Sequence, residues 1–158
     1  MKKMYFTLII ATVLLSIFGC TQKHSDQLTR QQIEQIKSEL KAVCDSFDVK
    51  WAELDDVGAL KYYSTDMKSI DSSSLSDFQG EKRLWEGVKD IATMKIEPIY
   101  LDFIVLTKDL AISAWVNKLK YVMKSGDTLQ INKKAYTNIW KKSNGQWKII
   151  YEHGSSFN

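Results

Sequence analysis

The chain has 158 residues, 44% of them hydrophobic and 26% charged, which is an ordinary globular composition with enough chain for one domain and its own core. Its net charge of +3 falls to +1 when Lys2 and Lys3 are removed with a leader segment, so the sequence carries no electrostatic footprint for nucleic acid. The only histidines are His24 and His153, and the carboxylates show no metal-ligand spacing. No metal or cofactor site is therefore expected, and neither a glycine-rich phosphate loop nor a G-x-S-x-G elbow occurs.

Residues 1–19 combine a basic start (Lys2, Lys3), an apolar run and Gly19 ahead of Cys20. The run is short for a membrane span, which needs about 20 apolar residues, and its shape is that of a signal peptide. Ile17-Phe-Gly-Cys20 resembles the lipobox of bacterial lipoproteins, with Phe18 bulkier than is usual there. The resemblance implies cleavage before Cys20 and lipidation of that cysteine. Several acyl chains, at about 0.8 kcal/mol per buried CH2, would hold the protein stably on a membrane. Residues 20–27 are polar and read as the lipidated cysteine and a tether. The absence of Asp just after Cys20 favours, by analogy with enteric lipoproteins, the outer membrane facing the periplasm. Residues 28–158 are left for the domain.

From about Asp26, Ile33, Ile36, Leu40, Val43, Phe47, Trp51 and Leu54 recur at steps of three or four, which predicts a long helix with one apolar stripe. Cys44 lies beside that stripe and reads as a small buried apolar residue rather than a reactive thiol, since no histidine or basic cluster adjoins it. Asp55-Asp56-Val57-Gly58 ends the helix. A short helix over 59–63 is predicted next, with Leu60 and Tyr63 inward, followed by a short strand over 67–71 and a loop at 72–77. Gly80 leads into a short helix over 81–88 with Leu84, Trp85 and Val88 on one side. The remainder reads as strands over 93–106, 110–123, 128–141 and 146–155. The turns fall at 107–109, 124–127 and 142–145, and Pro98 implies an edge strand or a bulge. The fold class is α+β, with a long N-terminal helix and two short ones packed on a curved, mainly antiparallel sheet.

Short turns fix pairing. A two-residue loop at Ser125-Gly126 sets Trp115 opposite Tyr136, Asn117 opposite Lys134 and Ser113 opposite Asn138. A four-residue loop at 142–145 sets Tyr136 opposite Tyr151 and Lys134 opposite His153. A two-residue loop at Lys108-Asp109 sets Asp102 beside Trp115 and Tyr100 beside Asn117. One sheet face then carries the rows Asp102–Trp115–Tyr136–Tyr151 and Tyr100–Asn117–Lys134–His153. The other carries Phe103, Val105, Ile112, Ala114, Val116, Ala135, Thr137, Ile139 and Ile150. The mixed face is assigned to the concave side as a pocket wall, with Trp51 and Tyr63 contributed from the helices. The flat aliphatic face is assigned to a partner sheet. The competing assignment turns the two faces round.

Asp55 through Tyr63 with Asp66, then Gly80, Asp109-Leu-Ala-Ile112, and the run from Tyr136 through Trp140, Gly145 and Trp147 to His153 resemble the SnoaL-like group of the nuclear-transport-factor-2-like superfamily. The resemblance covers about residues 30 to 156. It implies a cone-shaped, cystatin-like roll with a pocket inside the cone, and a homodimer through the outer sheet face. It also places Asp71 where ketosteroid isomerase, a member of the superfamily, has its general-base aspartate. The isomerase's helix tyrosine falls on Phe47, which has no hydroxyl, and its second oxyanion donor has no clear counterpart.

A base without an oxyanion hole lacks the largest usual catalytic term, so the expected function is non-catalytic binding of a small molecule on the membrane, with no catalytic residue assigned. Two alternatives stay open. One is an acid–base enzyme of isomerase or dehydratase type using Asp71 and His153. The other is a protein-interaction module whose cone is filled by its own aromatics.

Overall fold

The computed structural model describes residues 27–71 and 73–157; the leader, Cys20 and most of the tether lie outside them. Helix α1 spans Arg30–Ala52, α2 Asp56–Leu60 and α3 Phe78–Gly87, and a 3-10 turn covers Val88–Asp90. The strands are β1 (Tyr63–Asp71), β2 (Ser74–Asp77), β3 (Ile91–Thr107), β4 (Leu110–Met123), β5 (Thr128–Ser143) and β6 (Gln146–Phe157), in one sheet of order β2-β1-β6-β5-β4-β3. Among the described residues only β1 and β6 pair in parallel. The expected α+β class with a few helices on a curved, mostly antiparallel sheet is what the chain forms.

Helix α1 starts at a capping box. The Thr29 hydroxyl accepts from the Gln32 amide at 3.2 Å, and the Gln32 side chain accepts from the Thr29 amide at 2.8 Å. Its stripe buries Ile36, Leu40, Cys44 and Phe47, each spaced to one face, against Trp115, Trp140 and Ile149 of the sheet. Each such aliphatic side chain contributes about 1.5–3 kcal/mol by leaving water. The helix stops where Leu54 takes a left-handed φ of 58°, and Asp55 then caps α2 by accepting from the Gly58 amide at 2.8 Å. A second tie holds the N-terminal half of α1 to the sheet: Lys142 Nζ lies 2.6 Å from Glu39 Oε2 and 5.5 Å from the Trp147 ring centroid.

Several boundaries differ from the sequence reading. The second short helix ends before Tyr63, which begins β1 instead. The Ser-rich stretch read as a loop supplies β2, paired with β1 through Ser69↔Ser76 and Ile70↔Leu75. In α3, Trp85 is buried but Leu84 is exposed. Pro98 sits where its implied constraint is met, on edge strand β3 beside a register shift between Pro98 and Tyr100.

Register decides what faces the helices. The β4–β5 pairs Trp115↔Tyr136, Asn117↔Lys134 and Ser113↔Asn138 form as expected, although two departures produce them. The connecting loop is longer than two residues, with Val122 opposite Thr128, and a bulge between Asn117 and Leu119 restores the pairing. On β3 the Lys108-Asp109 turn is as expected, but a bulge between Val105 and Thr107 shifts the strand by one. Leu101 then lies opposite Trp115, and Asp102 opposite Ala114. On β6 the turn is the two-residue Asn144-Gly145, with φ of 52° and 78°, so Ser143 pairs Gln146. A further bulge between Ile139 and Trp140 leaves Ile150 without a β5 partner and puts Glu152 opposite Asn138.

These shifts move residues between faces. Phe103 belongs to the core and Val105 packs against it, while Tyr100, Asp102 and Ile104 lie on the outer face, as do Tyr151 and His153. The aliphatic outer face is otherwise present, with Ile112, Ala114, Val116, Ala135, Thr137 and Ile139 alternating with buried neighbours.

Candidate functional site

Between α1, α3 and the concave sheet face lies a cavity of about 440 Å³, within the size range of small-molecule pockets. Its walls are aromatic. Phe47 and Trp51 come from α1, Tyr63 from β1, Trp85 from α3, Trp115 and Tyr121 from β4, and Tyr136 from β5. Phe47 is the hub: its ring centroid lies 5.4–6.0 Å from those of Trp51, Tyr62, Tyr63 and Trp115, mostly edge-on. Trp51 meets Tyr136 edge-on at 5.5 Å. These rings line the space rather than fill it, so the expected alternative of a cone closed by its own aromatics does not describe this interior. Exposed Leu84 and Leu129 lie on the rim.

The polar groups of the cavity are carried by neighbouring strands. Lys134 of β5 has 9% of its side chain exposed and donates to both oxygens of Asp71, at 2.8 and 2.7 Å. Its ammonium also stands 5.3 Å from the Tyr136 ring centroid. The pair lies close over Gly154 of β6, which pairs with both Asp71 and Tyr136. A Cβ there would stand 3.3 Å from Asp71 Oδ1 and 3.4 Å from Lys134 Nζ. Because Asp71 keeps 53% of its side-chain surface, solvent screens the pair, and its role is more to place charge than to stabilise the fold.

Two more carboxyls sit beside this pair. Glu81, on the first turns of α3 and 7% exposed, accepts from the Ser69 hydroxyl at 2.7 Å. Glu152 of β6 accepts from the Tyr63 hydroxyl at 3.3 Å, and the Asn138 amide, turned with its nitrogen toward Glu152, donates at 3.2 Å. Burial raises both carboxyls. For Glu152, burial and the neighbouring Glu81 push the value up to about 8, against the Tyr63 bond and Lys134, which pull it down. At neutral pH Glu152 therefore holds a proton and serves as a donor, as does the Tyr63 hydroxyl, which burial holds well above its ordinary range.

Of the residues predicted from sequence, Trp51, Tyr63, Trp115, Lys134 and Tyr136 line the cavity, as does Asp71. Asn117 is fully buried on the same face but does not reach the cavity. Tyr100 and Asp102 bond to each other on the outer face at 3.4 Å, and Tyr151 and His153 also turn outward, so the rows drawn through them do not form. Glu152, Glu81, Ser69 and Asn138 are the polar residues that sequence reasoning did not reach. Among the described residues no group of three or more His, Cys, Asp or Glu is placed to hold a metal ion. Cys44 is buried beneath the cavity wall, and burial raises its thiol far above the ordinary range, so it is an inert packing residue.

No protein-family model matches the sequence, and neither does any curated protein. Solved structures match the fold. An NTF2-like protein of unknown function from Pseudomonas putida superposes with a TM-score of 0.65 at 20% identity, over 77% of this chain and 87% of that one. The association domain of C. elegans CaMKII gives 0.65 at 14% identity, over 80% and 99%. A hexachlorocyclohexane dehydrochlorinase gives 0.66 at 11% identity, over 79% and 90%. The fold is thus the cystatin-like cone of NTF2-like proteins, a framework shared by enzymes, assembly modules and proteins of unknown role. Identity at this level shows fold and not activity.

Proposed function

We propose that the chain is a non-catalytic small-molecule-binding domain, held through lipidated Cys20 on the periplasmic side of a bacterial outer membrane and paired with a second copy through its outer sheet face. The observation that carries the binding reading is the aromatic cavity of about 440 Å³ with a few convergent polar groups at Asp71, Lys134 and Glu152. The anchor rests on the basic start, apolar run and Gly19-Cys20 of the sequence. The dimer rests on the aliphatic outer face, and the likeness to an association domain is compatible with it. Mass spectrometry of small molecules released from the purified, denatured protein tests the binding reading. A stoichiometric compound is expected, and an empty protein that also binds nothing from a metabolite extract would overturn it. Cys20→Ser is expected to move the protein from the membrane fraction to the soluble periplasmic fraction; retention would sink the anchor.

One observation favours a second reading, acid–base catalysis. Asp71 and a protonated Glu152 share the cavity, which supplies a carboxylate base and a neutral carboxylic acid donor without the missing helix tyrosine. His153 has no part in it, since it faces away. Turnover abolished by both Asp71→Asn and Glu152→Gln, in protein that still melts cooperatively, would establish catalysis; equal turnover in both variants would remove it.

A further inference from the structure

Resting on the binding reading, we propose that the cavity takes an organic cation, an ammonium group joined to a compact apolar or aromatic body. The titratable groups of the lining are three carboxyls (Asp71, Glu81 and Glu152), one lysine (Lys134) and three tyrosines, so carboxyls outnumber the one amine. Lys134 is committed to Asp71 through both oxygens. Glu81 is more than nine-tenths buried, and among the described residues its hydrogen bond, from Ser69, falls on Oε1, while those of Glu152 fall on Oε2. Among the described residues one oxygen of each carboxyl thus has no protein donor, in a cavity that both residues line. The lining also carries the rings of Trp51, Trp85 and Tyr121, a class of side chain whose π-face attracts a cation stripped of its water. The three carboxyls are not arranged as a metal ligand set, so a diffuse, weakly hydrated organic cation suits the site better than an inorganic one.

The protonation of Glu152 sets how such binding depends on pH. Glu152 is enclosed by Tyr63, Ser69 and Asp71 of β1, Glu81 of α3, and Lys134, Tyr136 and Asn138 of β5. Burial and repulsion from Glu81 and Asp71 keep its proton on. A bound cation favours the ionised carboxyl, so below pH about 8 binding releases a proton; affinity rises as pH approaches about 8 and levels off above it.

Isothermal titration calorimetry of the purified full chain with benzyltrimethylammonium, benzyl alcohol and phenylacetate tests the proposal, because the three probes share one ring and differ in charge. The expected result is that the permanent cation binds about tenfold or more tighter than the alcohol above pH about 8 and loses that advantage below neutrality, with the anion weakest. The double variant Glu81→Gln/Glu152→Gln is expected to keep a cooperative melt and to bind the cation no tighter than the alcohol; a preference for the cation that survives in it would overturn the proposal. Binding of the alcohol or the anion with no preference for the cation would overturn the cation proposal and leave the binding reading standing. Failure of all three probes would overturn the cation proposal, and the binding reading would then fall only if the protein also carried no released compound and bound nothing from a metabolite extract.

Discussion

At the scale of single residues, Glu152 controls the chemistry of the interior. Its carboxyl is expected to titrate near 4.5 in the unfolded chain and near 8 in the fold. Between those values the folded state keeps a proton that the unfolded state has lost. Stability therefore falls as pH rises through that window and levels off above it. One such group imposes a slope of up to roughly 1.4 kcal/mol per pH unit. Asp48 of α1, raised by burial and by Asp45 to about 7, adds to the slope over its lower part. Glu152→Gln is expected to melt with a visibly flatter dependence on pH than the parent, and to be the more stable protein above pH about 8; parallel melting curves across that range would contradict the assignment. Trp51, Tyr63, Trp115, Tyr136 and Lys134 were legible as pocket residues because large aromatic and amphipathic side chains on the inward phase of a stripe or strand have few other places to go. Glu152 was not legible. A charged residue between Tyr151 and His153 reads as the solvent side of a strand, and nothing local says that a bulge two residues earlier turns it inward.

At the scale of elements, the long helix, the strand-rich second half and the edge position of β3 follow from periodicity and from Pro98. What failed were turns and bulges. Thr29 with Gln32 is a capping-box spacing, and it places the start of α1 more accurately than the apolar stripe does. Asn144-Gly145 is the strongest short hairpin signal in the chain, and given its due weight it fixes Ser143 opposite Gln146. The bulges in β3, β5 and β6 have no such signature, because an extra residue in a strand costs little wherever twist favours it. Gly145 is the element-scale test. With φ at 78° it occupies a region closed to side chains at low cost, while a Cβ there would meet no neighbour. Gly145→Ala is therefore expected to cost about 1–2 kcal/mol through backbone strain alone, read as a lowered melting temperature with an unchanged cavity; an unshifted melt would show that the turn relaxes.

At the scale of the whole molecule, the two faces of one sheet differ in character. The concave face holds the cavity, and the convex face presents Ile99, Ile104 and Leu106 to solvent, apolar side chains that a monomer gains nothing by exposing. Ile104 is 60% exposed, so Ile104→Lys is expected to alter stability by no more than about 0.5 kcal/mol while converting the proposed dimer to monomer in native mass measurements. A monomeric parent would remove the outer-face interface. The division between the two faces also depends on the one unpaired residue in β6, Ile150. Side chains along a strand carry a binary phase, and Ile150 inverts that phase for everything after it. Loss of this single residue would exchange Glu152 for Tyr151 and His153 inside the cone without moving a helix or a turn. For a framework whose solved examples range from a dehydrochlorinase to an association domain, one-residue insertions and deletions within strands are a short evolutionary route from one interior chemistry to another, and they would leave little trace in overall shape.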